Sequence, residues 1–448
     1  MKIIPVGNSS NWLDKLLMIK DSISKKSEMR NLACFIIVFI GFIIPNVLTS
    51  QVYEGKYKEA NYVESEVPEY VLPNILISFD NIQIENIDDW EKKRRPEIID
   101  FFANNIYGIV PNPSYPIEKS FEVISEDSNH IEGLCTKREI KITVKNKLGE
   151  VSMPLVLFIP NQIKKPVPAI FLFNGDDIRR NRLELDGPQK YGMTKNGIPL
   201  IQLMEKGIAL ITIDGNAMVK KNGFEGGKIN GGIIDLFFEP GQKFTKENEW
   251  GLIAVWAYAM TLGMDYIITD QDINSEQVAV LGTSVNGKVA LWAAANDQRF
   301  GMVLLATTGH GGDAIWRRQF GETLANMCTY LPTWICRNAK NYSKDVNSLP
   351  VDQHTLLATI APRPLYVGTA KTDLWADHKG QWIAAYHAAE AYKLYDKKVA
   401  FTSPNQPSLD QPIVESSIGF HLRSGYHGLT YYDWARYMEF MEYHFMKD

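Results

Sequence analysis

The segment Gln277–Ala295 contains a serine in a setting that suits nucleophilic catalysis. An apolar run, Val278 to Leu281, leads into a glycine-flanked turn at Ser284, and an alanine-rich helical stretch follows at once. A strand, a tight turn and a helix in this order form a nucleophile elbow, which raises the serine hydroxyl above the edge of a sheet. The N–H of Val285, at the N-terminus of that helix, would then face the oxyanion that develops in acyl transfer.

The spacing of this motif leaves a second interpretation open. The second glycine is Gly287, one position later than in the common pattern G-x-S-x-G. A serine directly before a helix is also a frequent N-cap residue, whose hydroxyl accepts a backbone hydrogen bond. From this segment alone, nucleophile and helix cap are both compatible with Ser284.

Candidate partners for Ser284 lie further along the chain in the order that acyl-transfer hydrolases with a nucleophile elbow use. Those enzymes place an acid after a later strand and a histidine near the C-terminus. Asp373 follows a strand-like segment at 364–370, and His427 lies in a glycine-flanked loop before the last helical segment. We predict that they orient and supply the general base. The nearest alternatives are Asp377 for the acid and His421 for the base.

The elements that must position these residues follow from the hydrophobic pattern. Strands alternating with helices imply a parallel sheet with right-handed crossovers, and a helix is predicted over Trp250–Asp265. The sequence therefore predicts an α/β-hydrolase fold: a three-layer sandwich around a mostly parallel central sheet. The buried strands are predicted from apolar segments bounded by Pro, Gly or Asp, at 169–173, 208–213, 278–281 and 364–370.

The region before the parallel sheet has a different pattern. Residues 51–90 are predicted to be an irregular lead-in, and the segment from Trp90 to Phe102 has the apolar spacing of a covering helix. Alternating runs at 139–144 and 151–159, separated by Asn146-Lys-Leu-Gly, predict a β-hairpin. We expect these elements to form an N-terminal cap on the domain.

The N-terminus resembles a secretory signal. An apolar run of thirteen residues, Leu32–Ile44, follows Lys25, Lys26 and Arg30 and precedes small residues. The run is short for a bilayer span, although an uncleaved anchor is the alternative. We therefore predict an extension and signal at 1–50, a catalytic domain at 51–448, and a periplasmic or secreted protein without stable membrane association once the signal is removed.

Charge and cysteine content narrow the class of protein further. The chain has 47 basic and 52 acidic residues, a formal charge of −5, and lacks the basic surface expected of a nucleic-acid binder. No Cys/His spacing, EF-hand or Walker motif predicts a metal or a cofactor. Cys328 and Cys336 are close enough in sequence to bridge in an oxidising compartment, but spacing alone leaves that open.

Seven segments distributed over residues 90–448 carry a resemblance to a known family. They are Glu249-Trp-Gly, Gly282-Thr-Ser-Val-Asn-Gly-Lys, Arg317-Arg-Gln-Phe-Gly-Glu-Thr, Leu349-Pro-Val-Asp-Gln-His, Ala361-Pro-Arg-Pro-Leu-Tyr-Val, Asp373-Leu-Trp-Ala-Asp and Ile418-Gly-Phe-His-Leu-Arg-Ser-Gly-Tyr-His. On these segments the chain resembles the glucuronoyl esterases, carbohydrate esterase family 15. The resemblance implies a serine esterase acting on esters of glucuronic acid in glucuronoxylan, or on another uronate ester, through an acyl-enzyme.

The resemblance also implies roles for individual residues. Ser284 would be the nucleophile, His427 the base and Asp373 the acid, and the uronate pocket would be lined by Lys288, Glu322 and Trp375. An ammonium and a carboxylate suit sugar hydroxyls, and an indole face suits a pyranose ring. Taken without the family, the last three residues would be interpreted as a surface lysine, a capping glutamate and a core tryptophan.

Two positions depart from the family pattern. Val285 replaces an arginine directly after the nucleophile, and Thr307 replaces a glutamate that would be a second acid near the base. His310 and Asp313 are also unusual in the segment Thr307-Thr-Gly-His-Gly-Gly-Asp. These departures keep two alternatives open: an esterase with shifted uronate or acyl ester specificity, and a weakly active carbohydrate-binding relative.

Overall fold

The computed structural model describes residues 59–173, 197–220 and 223–447. Among these residues the main sheet has nine strands, and a short separate hairpin is formed by β6 and β7. The strands are β1 (Glu118–Asn129), β2 (Cys135–Asn146), β3 (Gly149–Pro160), β4 (Val167–Phe173), β5 (Ala209–Ile213), β6 (Phe224–Glu225), β7 (Lys228–Ile229), β8 (Ile273–Thr283), β9 (Met302–Ala306), β10 (Leu365–Ala370) and β11 (Ile418–Arg423).

The α-helices that concern the site and the core lie between or after these strands. Short single-turn helices occur in several of the connecting segments. The helices are α1 (Arg95–Phe102), α2 (Leu200–Glu205), α3 (Leu252–Ile267), α4 (Val285–Asn296), α5 (Leu324–Tyr330), α6 (Gln353–Ala358), α7 (His378–Lys393) and α8 (Tyr431–Phe445). The helix predicted over Trp250–Asp265 is therefore present as α3, displaced by two residues.

The order of the main sheet is β1-β2-β3-β5-β4-β8-β9-β10-β11. The strands from β5 to β11 in this order are parallel, whereas β1, β2 and β3 pair antiparallel and β3 joins β5 antiparallel. The predicted hairpin and the mostly parallel sheet are both confirmed. Because the parallel strands end at one edge, the residues that follow β8 and β10 are brought to the same side of the sheet.

Alternate residues of each central strand face two separate layers of helices. On β8, Val278 and Val280 pack in one hydrophobic cluster, whereas Ala279 and Leu281 pack in the other. The first cluster includes α3, α4 and α7, and the second includes α2 and α8. This period of two, with helices on both faces, is the predicted three-layer sandwich.

The predicted covering helix packs on the first of these layers. Ile98 and Phe102 of α1 are fully buried. The guanidinium of Arg95 donates to the carbonyl of Thr359 (3.0 Å) and to that of Ala295 at the end of α4 (2.9 Å). These two bonds satisfy the helix-end carbonyls and hold the N-terminal segment against the domain.

The structure does not test the predicted signal, but it does decide whether the two nearby cysteines are bridged. Residues 1–50, where the signal is predicted, lie outside the described residues. Within the described ranges, 59–173, 197–220 and 223–447, there is no helix with the length and apolar character needed to cross a bilayer. Cys328 and Cys336 are both buried free thiols, so the bridge that their spacing left open is not formed.

Candidate active site

The turn at Ser284 has the backbone geometry of a nucleophile elbow. Ser284 lies between the end of β8 and the first residue of α4, with φ 56° and ψ −131°. Its side chain makes no capping hydrogen bond to α4. A non-glycine residue at positive φ is strained, and strain of this kind is concentrated at functional sites. The helix-cap interpretation of Ser284 therefore lacks the hydrogen bond on which it depends.

The two glycines around Ser284 are required by close backbone approaches. A Cβ at Gly282 would lie 2.1 Å from the carbonyl oxygen of Asn286, and a Cβ at Gly287 would lie 2.2 Å from Thr308 Oγ1. The second contact explains the unusual spacing. In this chain the tightest packing against the neighbouring turn falls one residue later along α4, so the glycine does too.

The first turn of α4 provides a donor beside Ser284. The N–H groups of Gly287 and Lys288 both donate to the carbonyl of Ser284, at 3.0 and 3.3 Å. Within the described residues, the N–H of Val285 donates to no backbone carbonyl. An unpaired N–H at a helix N-terminus carries partial positive charge and suits a developing oxyanion.

His427 and Asp373 form a short hydrogen-bonded pair. The distance between His427 Nδ1 and Asp373 Oδ2 is 2.6 Å. Asp373 follows β10 and is fully buried, and its other oxygen accepts from the N–H of Ala376 (3.3 Å). The His427 side chain is 24% exposed. A carboxylate bonded to Nδ1 fixes the tautomer of the imidazole and places the basic lone pair on Nε2.

The loop that carries His427 is connected to the elbow through two threonines. The N–H of Gly428 donates to Thr307 Oγ1 at 3.3 Å, and that hydroxyl lies 3.4 Å from Thr283 Oγ1. Thr307 itself follows β9, which separates β8 from β10. The residue after the histidine and the residue before Ser284 thus contact the same side chain.

His421 and Asp377, the alternatives for the base and the acid, have other hydrogen-bond partners. His421 lies on β11, fully buried, with Nε2 2.8 Å from Asp433 Oδ1. Asp377 caps α7 through the N–H of Gly380 (3.0 Å) and accepts from Arg318 Nε (2.8 Å). Both side chains are therefore part of buried structural networks, whereas Asp373 contacts a half-exposed histidine.

Asp433 in the first of these networks gives a testable effect on stability. Burial raises its pKa, but the Arg423 charge and the hydrogen bond with His421 outweigh burial and lower the pKa to about 2. Since the unfolded value is about 3.9, the carboxylate stabilises the fold above about pH 4 and this contribution is lost as the pH falls toward 2.

We expect Asp433→Asn to lower the free energy of unfolding at pH 7 by about 3 kcal/mol, because Arg423 is left buried without its partner. The difference from the wild type should shrink as the pH falls below 4, which urea titrations at several pH values would measure. A difference that stays the same between neutral and acid pH would contradict the role given to the Asp433 charge.

The resemblance implies that Lys288, Glu322 and Trp375 line a uronate pocket. These three residues lie near the hydrogen-bonded pair of His427 and Asp373. Lys288 Nζ donates to the carbonyl of Thr308 (2.6 Å) and lies 3.7 Å from Glu322 Oε2, and both side chains are almost completely buried. The N–H of Glu322 donates to the carbonyl of Trp375 (3.1 Å), two residues after Asp373. Burial raises the pKa of Glu322, although the Lys288 and His427 charges oppose it.

The ordinary interpretations of these three residues do not fit the structure. Lys288 is buried and not on the surface, Trp375 is half-buried, and the cap of α5 is Thr323, the residue after Glu322. A buried ammonium next to a buried carboxylate is expensive unless its remaining donors and acceptors are used. Ligand hydroxyls are groups that could use them.

The comparisons with known proteins agree with this geometry. A family model described as "Glucuronyl esterase, fungi" matches residues 142–396. Carbohydrate esterase MZ0003, from an unknown prokaryotic organism, is 33% identical over 414 residues, which are 86% of this chain and 92% of that protein. The chain belongs to the glucuronoyl esterase family.

Two further relatives extend the comparison to a fungal enzyme and to a solved structure. The 4-O-methyl-glucuronoyl methylesterase 1 of Phanerochaete chrysosporium is 32% identical over 140 residues, 29% of each protein. The structure of a promiscuous esterase of carbohydrate esterase family 15, from a marine bacterial metagenome, has a TM-score of 0.73 and 31% identity, covering 86% of this chain and 100% of that one. The chain is thus a carboxylic ester hydrolase with the α/β-hydrolase fold, as predicted.

Val285 and Thr307, the two departures from the pattern of the glucuronoyl esterase family, both lie close to the proposed nucleophile and base. Val285 is half-buried and directly follows Ser284, so the site has an apolar side chain where relatives were expected to have arginine. Thr307 is fully buried and has φ 43°. Its hydroxyl contacts the His427 loop, but a neutral hydroxyl offers no charge to stabilise an imidazolium.

His310 and Asp313, in the segment that follows β9, are both fully buried. Asp313 Oδ1 accepts from the N–H of Gly309 (2.7 Å) and from Gln381 Nε2 (2.9 Å), so it holds the turn that follows β9. Burial raises the pKa of Asp313 to about 7 and lowers that of His310 to about 3, so His310 is neutral at physiological pH. Gln381 was not predicted as a partner of Asp313, although a glutamine in a largely apolar helix could have indicated a buried hydrogen bond.

Metal-ligating side chains are not clustered in this part of the protein. Across the described residues, no group of three or more His, Cys, Asp or Glu side chains is arranged to hold an ion. The protein groups present at the site are a serine hydroxyl, an imidazole with its carboxylate, a backbone donor and a buried ammonium–carboxylate pair.

Proposed function

We propose that this glucuronoyl esterase works through Ser284 as nucleophile, His427 as general base and Asp373 as its orienting acid. The hydrogen bond of 2.6 Å between His427 and Asp373, in a loop joined through Thr307 to the elbow, supports this most directly. Family membership supports the reaction class. The residue roles are the proposal.

The reaction would proceed in two acyl-transfer steps. Ser284 Oγ attacks the ester carbonyl of the uronate while His427 Nε2 takes the hydroxyl proton, and the oxyanion is held by the N–H of Val285. The alcohol then leaves with the proton from His427. Water attacks the acyl-enzyme with His427 again as base, which releases the free uronate and restores Ser284.

The substrate we propose is an ester of glucuronic acid carried on xylan. Lys288 and Glu322 would contact ring hydroxyls, and Trp375 would offer an aromatic face to the pyranose. We further propose that residues 1–50 direct export and that residues 51–448 act in the periplasm or outside the cell, where such polymers occur. No metal, cofactor or nucleic-acid partner enters the proposed mechanism.

An esterase with shifted ester specificity is the second candidate, and Val285 favours it. An apolar side chain beside the nucleophile changes the polarity next to the scissile bond, and the structural relative from a marine metagenome is named as promiscuous. A weakly active carbohydrate-binding protein is the third candidate, since the arginine and the second acid are both absent.

A panel of esters hydrolysed by residues 51–448 separates these candidates. We expect benzyl and methyl glucuronate to be cleaved with a higher kcat/KM than acetyl esters. Preference for acetyl esters would support shifted specificity. Binding of glucuronoxylan fragments without turnover of any ester, and without an acyl-enzyme by mass spectrometry, would support the binding protein and refute the esterase proposal.

Val285→Arg tests whether the missing arginine limits the rate. One donor to an oxyanion is worth roughly a hundred- to a thousandfold in kcat, so we expect this variant to raise kcat on benzyl glucuronate by up to about a hundredfold. Val285→Lys, which adds charge without the planar donor group, is the matched control and should gain less. Unchanged or lower kcat in both would show that the Val285 N–H already suffices.

A further inference from the structure

A second cavity, of about 510 Å³, lies away from Ser284. It is lined by the loop Phe238–Phe244, by Tyr115 and Leu148, and by Lys220, Asn230, Gly231 and Asp235. The volume falls in the range of small-molecule sites, which run from about 300 to 1,000 Å³. None of these residues belongs to the proposed catalytic machinery.

The cavity opens on the same edge of the sheet as the active site. Leu155 pairs with Ile213 at the end of β5, so β3 and the β2–β3 turn begin beyond that edge. Asn146 in this turn donates to the carbonyl of Leu236 (2.7 Å), which holds the cavity wall there. The order β3-β5-β4-β8 places three inter-strand spacings, about 14 Å, between β3 and the strand that ends at the elbow.

Lysines without an ion-pair partner surround the cavity. Lys220 and Lys243 line it, and Lys147 Nζ lies 3.7 Å from the centroid of the Tyr115 ring. None of the three makes an ion pair with a described residue, whereas the acidic lining residues have partners. Glu239 bonds Lys246 (2.6 Å), and Asp235 accepts from the N–H of Gly231 (2.8 Å). Lys246 neutralises Glu239, which leaves Lys147, Lys220 and Lys243 against the one carboxylate of Asp235, so the side-chain charge at this cavity is net positive.

The cavity wall is fixed before any ligand binds. Gln242 Nε2 donates to Glu249 Oε2 (2.7 Å) and to the carbonyl of Phe244 (2.9 Å). Glu249 is 3% exposed and its Oε2 also accepts from the N–H of Lys246 (2.7 Å). Glu249 begins one of the segments shared with the family, and here it braces the loop that forms the cavity. A braced loop loses little entropy when a ligand binds.

We propose that this cavity binds an acidic saccharide, with a uronate carboxylate on Lys220 and Lys243 and sugar rings against the aromatic side chains of Tyr115 and Phe244. Aromatic faces with nearby polar groups suit pyranose rings, and ammonium groups suit carboxylates. The choice of a saccharide rests on the proposed function. A xylan chain with more than one uronate branch could then place one at Ser284 and another here.

The test measures binding and hydrolysis separately. Calorimetry with Ser284→Ala compares an acidic glucuronoxylo-oligosaccharide with a neutral xylo-oligosaccharide of equal length, with and without Lys220→Gln and Lys243→Gln together. Because exposed ion pairs are individually weak, we expect the double exchange to weaken binding of the acidic ligand by about tenfold at low ionic strength. Lys164→Gln, an exposed and unpaired lysine between β3 and β4, is the matched control and should change nothing.

Kinetics on a polymeric and on a small ester distinguish the effect of this cavity from an effect on the active site. In the active enzyme the double exchange should lower kcat/KM on an esterified glucuronoxylan by about tenfold and leave kcat/KM on benzyl glucuronate unchanged. Equal binding of neutral and acidic ligands, or unaltered binding after the double exchange, would overturn the proposal. If the wild type cleaves no uronate ester, the proposed function fails, while calorimetry still decides on the cavity.

Discussion

Replacing Ser284 by Ala is expected to lower kcat on benzyl glucuronate by about a millionfold, and His427→Ala should do the same. The two residues would act as a unit, so loss of either leaves only binding and the oxyanion donor. Steady-state hydrolysis and mass spectrometry of the acyl-enzyme measure the effect. Residual activity within tenfold of the wild type in either variant would exclude these roles.

The unusual backbone of Ser284 provides a control that separates catalysis from folding. At φ 56° a glycine is unstrained, so Ser284→Gly should be as inactive as the alanine variant and yet more resistant to urea. Relief of this strain should add about 1 kcal/mol to the free energy of unfolding. An inactive but more stable protein would show that the serine is retained at a cost to stability. A less stable glycine variant would argue against strain at the elbow.

Asp373→Asn is expected to lower kcat by about four orders of magnitude with little change in KM. An asparagine in the same place can accept or donate a hydrogen bond, but it favours the wrong imidazole tautomer and carries no charge to stabilise the imidazolium. Asp373 Oδ2 lies 2.6 Å from His427 Nδ1, whereas Thr307 offers the His427 loop only a neutral hydroxyl. The loss should therefore be nearly complete.

Glu322→Gln is the matched control for this exchange. Glu322 is buried near His427 and contacts Lys288, so it is the nearest alternative source of negative charge. We expect it to raise KM for the uronate more than it lowers kcat, because its proposed contacts are with the sugar. A small effect of Asp373→Asn together with a large loss of kcat in Glu322→Gln would transfer the orienting role to Glu322.

Asp433 and Asp373 show why sequence left two histidines open as the proposed general base. His421 and His427 are six residues apart, and both have a carboxylate partner in the structure, at 2.8 and 2.6 Å. What separates them is burial: His421 lies on the edge strand β11 with no exposed surface, and His427 is partly exposed. Exposure is decided by the packing of α8 over β11, which neither sequence position reveals.

Local patterns did predict most of the fold. Four of the six parallel strands, β4, β5, β8 and β10, were predicted because strands covered on both faces are continuous apolar runs, whereas β9 and β11 were not predicted. The hairpin was predicted because Asn146-Lys-Leu-Gly interrupts two alternating runs. The edge strand β1 was missed, since nearly all its residues are exposed and no apolar period marks it. An edge strand that pairs with one neighbour and has exposed side chains shows no hydrophobic pattern from which it could be predicted.

The elbow and the family segments could be predicted from the sequence because each consists of residues close together in the chain, and the order of the three proposed catalytic residues is itself a property of the sequence. The three-dimensional structure was needed to show which acid meets which histidine, that Lys288 is buried, that Thr307 joins the histidine loop to the elbow, and that Lys220 and Lys243 line one cavity. Those contacts join residues 20 to 121 positions apart. The order of strands in the sheet, not their order in the chain, sets which side chains meet.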